Sequence, residues 1–430
     1  MSIAIVSTHD IDCGIARFAE VLRHGLATEG AVSILDLPRH ELKPSYGATR
    51  RSGDRYIAAL CERLAGFDAV SIQFEYSLLA DNTKLSVRRL ERLAQANPNT
   101  CVTLHTVLSR SSSSDLRPPS IIRWLSSPRH AFGEFLGQYR SARLAKLEAG
   151  LLGFLRRRRI KVVVHTRTTQ ELLRQRYGLS QVYCHPLCYT SAREKQAYDH
   201  ATCRSELLHK LGLEGDVRLV GVFGFFGNYK GFDYAVRCLA ALPANHRLLV
   251  FSGLHPNVIR HSDNSQIEHL LALGKRLKVL GRICFMGTVD DRSLYRAIAG
   301  VDVSWLPYRE VGQEASAICS EVSELSQRVI VSRNFAFIDY MKFGLRKTFE
   351  FCEIGNVEEL RLKTLNYDHF HPQDRNATEV QDHAERQAAF YRNVLQAAPE
   401  RVRHEEGIPA EERTLPEPVS AAPVSRHAIR

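Results

Sequence analysis

Several signatures are missing from this sequence, and each absence removes a class of protein. No run of eighteen apolar residues occurs anywhere in the 430 residues, which excludes an ordinary membrane-spanning helix. The opening MSIAIVSTHD has no charged start followed by a long apolar core, so it does not read as a secretory leader. The expectation is a cytosolic protein, or one attached to a membrane from the cytosolic side. Ten cysteines are scattered without a single CxxC pair, and several sit inside apolar runs, so they read as reduced core thiols. Cys184, His185 and Cys188 lack further ligands at zinc spacing. The GxxxxGK(S/T) and GxGxxG loops are both absent, which removes P-loop nucleotide hydrolysis and the standard dinucleotide fingerprint. No internal repeat is visible.

What is present is a globular composition, 44% hydrophobic and 24% charged, long enough for two domains with sizeable cores. A formal net charge of +11 and an isoelectric point near 9.2 favour anionic partners. Phosphate-bearing small substrates fit that balance, and no nucleic-acid partner is expected.

The most informative stretch is LVGVFGFFGNYKGFDYAVRCL, from Leu219 to Leu239. Leu219, Val220, Val222, Phe223 and Phe225 read as a buried strand, Gly227-Asn228-Tyr229-Lys230-Gly231 as a turn, and Phe232, Ala235, Val236 and Leu239 recur at helical spacing. Such a loop aims backbone N–H groups and the positive end of a helix dipole at one point, and Lys230 adds a charge beside them. That point suits a phosphate, although an ordinary turn with a solvated lysine has the same spacing.

The first half follows the same logic. Ile3 to Ser7 is a strand, Gly14 lies in the following loop, and Ala16, Ala19, Leu22 and Leu26 repeat with helical period. Val32 to Leu37, Ala69 to Phe74, Cys101 to Leu104 and Val162 to His165 read as further strands, with helices around Ile57 to Ala65 and Leu85 to Ala96. Strands alternating with helices imply a parallel sheet covered on both faces. Ligands of such sheets bind beyond the carboxyl ends of the strands, where Gly14, Glu75, His105 and His165 fall.

From Gly137 the chain turns basic, with Arg140, Arg143, Lys146 and Arg156 to Arg159 interleaved with Leu144, Leu147, Leu151 and Leu155. Two readings stand: a helix lying on an anionic membrane, or a core-facing helix whose solvated face is cationic. The serine-rich loop from Ser109 to Pro119 is expected to be mobile. The polar segment from Ala192 to Gly215 reads as a linker, and a second α/β unit opens at Val217. Its strands are Arg247 to Phe251, Ile283 to Phe285, Val301 to Leu306 and Arg328 to Val331, with a helix from Asp290 to Ile298. Glu379 to Leu395 reads as one polar helix, and the tail from Ala397 is too poor in apolar residues to fold.

Taken in order, several pieces carry a resemblance: Asp12-Cys13-Gly14-Ile15-Ala16-Arg17-Phe18, Ile72-Gln73-Phe74-Glu75-Tyr76, Thr103-Leu104-His105-Thr106, Val163-Val164-His165-Thr166, the Gly227 to Gly231 loop, and Leu306-Pro307-Tyr308 followed by Glu321 and Val329-Ile330-Val331-Ser332. The chain resembles glycosyltransferases of the GT-B fold, specifically the large retaining family 4 group that includes bacterial polysaccharide and lipid-linked mannosyltransferases. The resemblance runs from Ile3 to about Leu395. It implies an α/β fold of two Rossmann-like domains facing across a cleft: an acceptor domain over 1–200, a nucleotide-sugar donor domain over 201–378, a helix over 379–396 crossing back to the first domain, and a disordered tail over 397–430.

The resemblance also implies roles. Lys230 would supply the cation for the leaving diphosphate, with Asn228 in the same loop. Ala315, Ser316 and Ala317 would begin a helix whose unpaired N–H groups face the cleft, and Gly14 would let the first domain's backbone approach the same phosphates. Glu321 matches the second glutamate of the family's pair and would hold the ribose. The first is replaced by Gln313, which cannot offer negative charge. Alternatively Glu314 substitutes, sharing a helical face with Glu321. His105 would touch the transferred sugar, Glu75 would serve the acceptor or organise the site, and His165 would shape the cleft. A hydrogen-bonded strand-end histidine and a solvated strand-end carboxylate fit the same residues. Ser326 and Arg328, replacing a family glycine and proline, read as surface variation. No aspartate pair for a divalent ion stands out, so metal independence and no cofactor are expected.

The activity implied is transfer of a hexose, with retention, from a nucleotide-diphosphate sugar to a glycan or lipid-linked acceptor. His105 and Lys230 would support ion-pair chemistry rather than act as an acid and base couple. The replaced first glutamate motivates an alternative, a catalytically silent nucleotide- or glycan-binding scaffold. A nucleotide-sugar epimerase is a third option. A glycosidase is disfavoured, since no facing carboxylate pair is evident.

Overall fold

Two runs of β-branched and aliphatic strands, each alternating with amphipathic helices, build two separate parallel sheets. A computed structural model of the chain describes residues 1–9, 13–28, 30–43, 47–107, 128–253, 265–309, 314–343, 349–366 and 383–397. The serine-rich loop from Ser109, residue Gln313 and the tail beyond Ala397 lie outside the described residues.

The first sheet holds β1 (Ile3–Ser7), β2 (Val32–Asp36), β3 (Ala69–Phe74), β4 (Thr100–Leu104), β5 (Lys161–Val164) and β6 (Val182–Cys184), in the order β2-β1-β3-β4-β5-β6. Its helices are α1 (Gly14–Leu26), α2 (Gly47–Leu64), α3 (Thr83–Gln95), α4 (Pro128–Arg157) and α5 (Arg167–Tyr177). Ile3 and Ile5 of β1 join one core while Ala4 and Val6 join the other, because successive strand residues point to opposite faces and helices cover both. Leu151, Leu152 and Leu155 of α4 enter the core, and Arg156 to Arg159 stay exposed. The C-terminal part of the basic helix is therefore core-facing.

The polar segment expected to be a linker instead forms α6 (Ala192–Ala197) and α7 (His200–Leu211). Ser191 and Glu194 close a capping box on α6, Asp199 caps α7, and Gly212 ends α7 in the left-handed region. Leu207 enters the second core and Arg204 donates to Asp302 at 2.8 Å. A three-turn helix needs only a narrow apolar strip, so its charged composition misled.

The second sheet holds β7 (Arg218–Phe223), β8 (His246–Phe251), β9 (Ile283–Phe285), β10 (Val303–Leu306), β11 (Val329–Ser332) and β12 (Glu350–Cys352), in the order β12-β11-β10-β7-β8-β9, again all parallel. Its helices are α8 (Phe232–Ala240), α9 (Ser265–Arg276), α10 (Asp291–Gly300), α11 (Ala317–Leu325), α12 (Phe335–Met341) and α13 (Val357–Leu365). Arg328 is not surface variation. It is buried, pairs with Glu350, and donates to the carbonyls of Lys363 and Thr364 at the end of α13, where a cation meets the negative end of the helix dipole. Ser326 bonds Ser304 at 2.8 Å in the same buried layer.

The last described helix, α14 (His383–Gln396), packs on α1 of the first sheet. A Cβ on Gly25 would lie 2.5 Å from the Ala388 Cβ, so glycine is what permits the close approach. The Tyr391 hydroxyl pairs with Thr103 at 3.0 Å, Gln387 exchanges two bonds with the Cys188 backbone, and Asn99 and Lys161 hold the carbonyls of Leu395 and Ala397.

Candidate functional site

The glycine loop after β7 is wound tightly. Asn228–Lys230 form one 3-10 turn and Gly231 sits at φ +68°. A Cβ on Gly231 would lie 1.9 Å from the Pro307 carbonyl, so only glycine lets this turn close on the end of β10. The turn drives Lys230 inward. Its side chain is buried, donates to the Tyr308 hydroxyl, and lies 4.3 Å from the Tyr308 ring centroid and 5.3 Å from that of Tyr229. A Cβ on Gly224 would meet both Lys230 Nζ and the Ile318 side chain at 3.1 Å, which places the ammonium beside the first turn of α11. Burial pushes the lysine down to about 7, against weak support from Cys319.

Helix α11 begins at Ala317, so Ala315 and Ser316, expected within its start, lie just ahead of it. Ser316 is its N-cap and accepts the Cys319 N–H at 3.3 Å, leaving the Ala317 and Ile318 N–H groups ahead of the first helical bond. Ala315 packs against the core under α1. Asn228, in contrast to Lys230, is exposed and lines a cleft of about 450 Å³ with Tyr229, Phe232, Asp233, Gln266 and Arg309. Neither Lys230 nor Glu321 is part of that lining.

Across from α11 stands the edge of the first sheet. Gly14 opens α1, and a Cβ there would touch the Ala317 Cβ at 3.4 Å. Glu75 follows β3, half-buried, and loss of solvent raises its carboxyl above the usual range against a Thr106 bond that lowers it. His105 follows β4. Its Nε2 meets the Gln73 amide at 3.0 Å, its Nδ1 meets His165 Nε2 at 3.2 Å, and His165 Nδ1 meets the His185 carbonyl at 2.9 Å. Burial holds His105 well below its ordinary value and His165 at about 4. His105 Nε2 donates to the Gln73 amide oxygen, whose NH₂ group donates in turn to the Ser71 hydroxyl at 3.0 Å, and His165 Nδ1 donates to the His185 carbonyl. Phe18 closes over both rings edge-on at 5.4 and 5.8 Å.

Carboxylates of the second half reach residues of the first. Glu314, expected to share a helical face with Glu321, is not on a helix: it precedes the Ser316 cap and is 1% exposed. It accepts the Thr166 N–H at 3.1 Å and the Thr166 and Thr169 hydroxyls at 2.7 and 2.6 Å, putting negative charge on the N-terminus of α5. Asp339 accepts the Thr168 N–H at 3.1 Å beside it. Glu324 takes Lys195 at 3.2 Å and the Thr190 hydroxyl, and burial pushes it up to about 7. Glu321 is fully buried against the Arg17 guanidinium. Sequence reasoning missed Arg17, Thr166, Thr169 and Glu324. Thr166 directly after a strand, with Thr169 three residues on, signals a helix cap but not its carboxylate partner, and nothing local to Arg17 or Glu324 signals a partner far away in the chain.

The sequence matches no protein-family model and no curated protein. Solved structures do match. HepE of Anabaena, solved with UDP and glucose, is 13% identical over 92% of this chain and 95% of its own, with a TM-score of 0.58. Sucrose-phosphate synthase of Thermosynechococcus elongatus is 17% identical over 92% and 96%, TM-score 0.58. The UDP-forming α,α-trehalose-phosphate synthase of Burkholderia xenovorans, solved with glucose-6-phosphate, is 10% identical over 92% and 99%, TM-score 0.61. The chain thus has the two-sheet α/β architecture of the GT-B glycosyltransferases, along nearly the whole length of these neighbours. At such identities the likeness carries the fold.

Proposed function

We propose that the protein is a glycosyltransferase that moves a hexose, with retention of configuration, from a nucleotide-diphosphate sugar to a glycan or lipid-linked acceptor. The observation that carries this is the buried Lys230 ammonium set beside the first turn of α11, at the carboxyl edge of the second sheet. A departing diphosphate gathers negative charge, and a fixed cation with preorganised N–H donors lowers that barrier most where water is excluded. In this reading Lys230 and the Ala317 and Ile318 N–H groups hold the diphosphate, Gly14 closes the opposite side, Glu321 takes the ribose hydroxyls, and His105 meets the sugar. These groups supply the positive charge themselves, and the reaction proceeds without a metal. UDP bound in the matching HepE structure, and the UDP-forming reaction named for the trehalose-phosphate synthase, make a uridine donor the first to test. Exposed Phe132 and Tyr139 on α4, near Arg140, Arg143 and Lys146, fit contact with an anionic membrane carrying a lipid-linked acceptor.

A silent nucleotide-binding scaffold is favoured by one observation. Glu314, the carboxylate nearest the first-glutamate position, is spent on Thr166 and Thr169. Incubating the purified protein with a panel of nucleotide sugars, with and without a lipid or oligosaccharide extract, and following nucleoside diphosphate release separates the two. Release by the wild type and not by Lys230→Ala supports the transferase; tight nucleotide binding with no turnover of any donor overturns it for the scaffold.

A further inference from the structure

Arg17 lies one turn into α1, yet its guanidinium belongs to the other half of the molecule. Nη1 donates to Asp291 Oδ1 at 2.7 Å, Nη2 contacts Glu321 Oε1, and the Tyr189 and Tyr295 rings flank the group at 5.1 and 5.6 Å. Two of its three partners from the second half, Glu321 and Tyr295, are buried, and Asp291 is half exposed. One helix of the first half is therefore tied to two helices of the second, α10 and α11, by a single side chain.

We propose that Arg17 is an internal occupant of the nucleotide site: its guanidinium holds the Glu321 carboxylate that a bound nucleotide's ribose hydroxyls take, and latches the halves shut until the nucleotide displaces it. The inference rests on the reading of Glu321 given under Proposed function. Three observations carry it. Glu321 is fully buried, Arg17 meets its Oε1, and its Oε2 has no hydrogen-bond partner among the described residues. A buried carboxylate with one oxygen unpartnered gains from donors to both oxygens at once, which a ribose diol supplies. At Gly14, three residues ahead of Arg17, even an added Cβ would touch the Ala317 Cβ at 3.4 Å, so the gap between the starts of α1 and α11 is too narrow for a diphosphate while the latch is shut. Asp291, with Oδ1 already bonded to the guanidinium, keeps a partner for Arg17 once Glu321 is released.

A buried ion pair stabilises little in net terms because desolvation of both ions offsets their attraction. Exchanging it for ribose bonds is accordingly an accessible step, but the shut fraction still lowers apparent affinity in proportion to its population.

The test uses the full chain as wild type, Arg17→Met and Asp291→Asn, titrated calorimetrically with uridine diphosphate and guanosine diphosphate, together with amide hydrogen exchange of the unliganded proteins. Each sheet has its own core, so Arg17→Met keeps both folded. The expected result is that Arg17→Met binds the accepted diphosphate about tenfold or more tightly than wild type, Asp291→Asn shifts in the same direction by less, and the amides from Ala317 to Ser320 exchange faster in unliganded Arg17→Met. A merely structural arginine would weaken binding when removed. If the wild type binds a diphosphate and Arg17→Met binds it equally or more weakly, the latch is overturned and the transferase reading stands. If no form binds either diphosphate, both readings fall together.

Discussion

Proton uptake on donor binding measures the Lys230 environment directly. In the empty site burial holds its ammonium at about 7, down from 10.5 in open solvent, so at pH 8 about nine lysines in ten are neutral. A diphosphate placed against it restores full charge, because an opposite charge within ~4–6 Å favours the ionised form. Binding a nucleotide sugar, whose phosphates do not titrate near neutrality, then takes up about 0.9 proton at pH 8 and about 0.5 at pH 7. Affinity falls correspondingly, approaching tenfold per pH unit above pH 7. Calorimetry of UDP-glucose, or of whichever donor binds, in two buffers of different ionisation enthalpy reads the proton number. Lys230→Met should abolish the buffer dependence and weaken binding by about 2–4 kcal/mol. Binding at pH 8 with no proton uptake, unchanged in Lys230→Met, would refute the placement of the diphosphate on this lysine.

Acid should open the first sheet. Burial depresses His105, His165 and His185, the last two to about 4, so the stability they contribute is complete above 6.5 and lost as pH falls through that window. Glu324, raised to about 7, works the other way and offsets one of the three protons, leaving a slope of about 3 kcal/mol per pH unit near pH 5.5. His165→Asn should remove about 1.4 kcal/mol per pH unit from it, read by urea unfolding at pH 5.5 and 7. Gly231→Ala, with a positive φ and the Pro307 carbonyl at 1.9 Å from the new Cβ, should cost about 3 kcal/mol or more in urea unfolding and abolish diphosphate binding. Thr166→Val with Thr169→Val strips two hydroxyl donors from buried Glu314; a loss of about 3 kcal/mol is expected, and an unchanged midpoint would show that Glu314 finds water instead.

Much of the fold was legible because it is written in short-range pattern. The stretch from Leu219 to Leu239 shows a strand by its apolar run, a turn by Gly227 and Gly231, and a helix by Phe232, Ala235, Val236 and Leu239, and these elements form where expected. The linker was misjudged for the same reason, since α7 hides one apolar strip inside a charged sequence. Of the candidate site, the Lys230 loop was placed by local rules, the region where α11 starts by the resemblance, and the partners of the carboxylates by neither. Whether Glu314 faces a substrate or caps α5 depends on a helix about 150 residues earlier, and no local signal reports that distance.

Spacing and chemical type alone determined that this chain forms two parallel α/β sheets, with Gly14, His105 and Lys230 at strand ends, because backbone sterics and apolar periodicity act between neighbours in sequence. Only the tertiary structure decided that Lys230 is desolvated, that His105, His165 and the Gln73 amide form one hydrogen-bonded row, and that Arg17 holds Glu321. Those properties arise from burial and from charges brought together across the two halves, and a charge feels whatever is near in space, however distant along the chain.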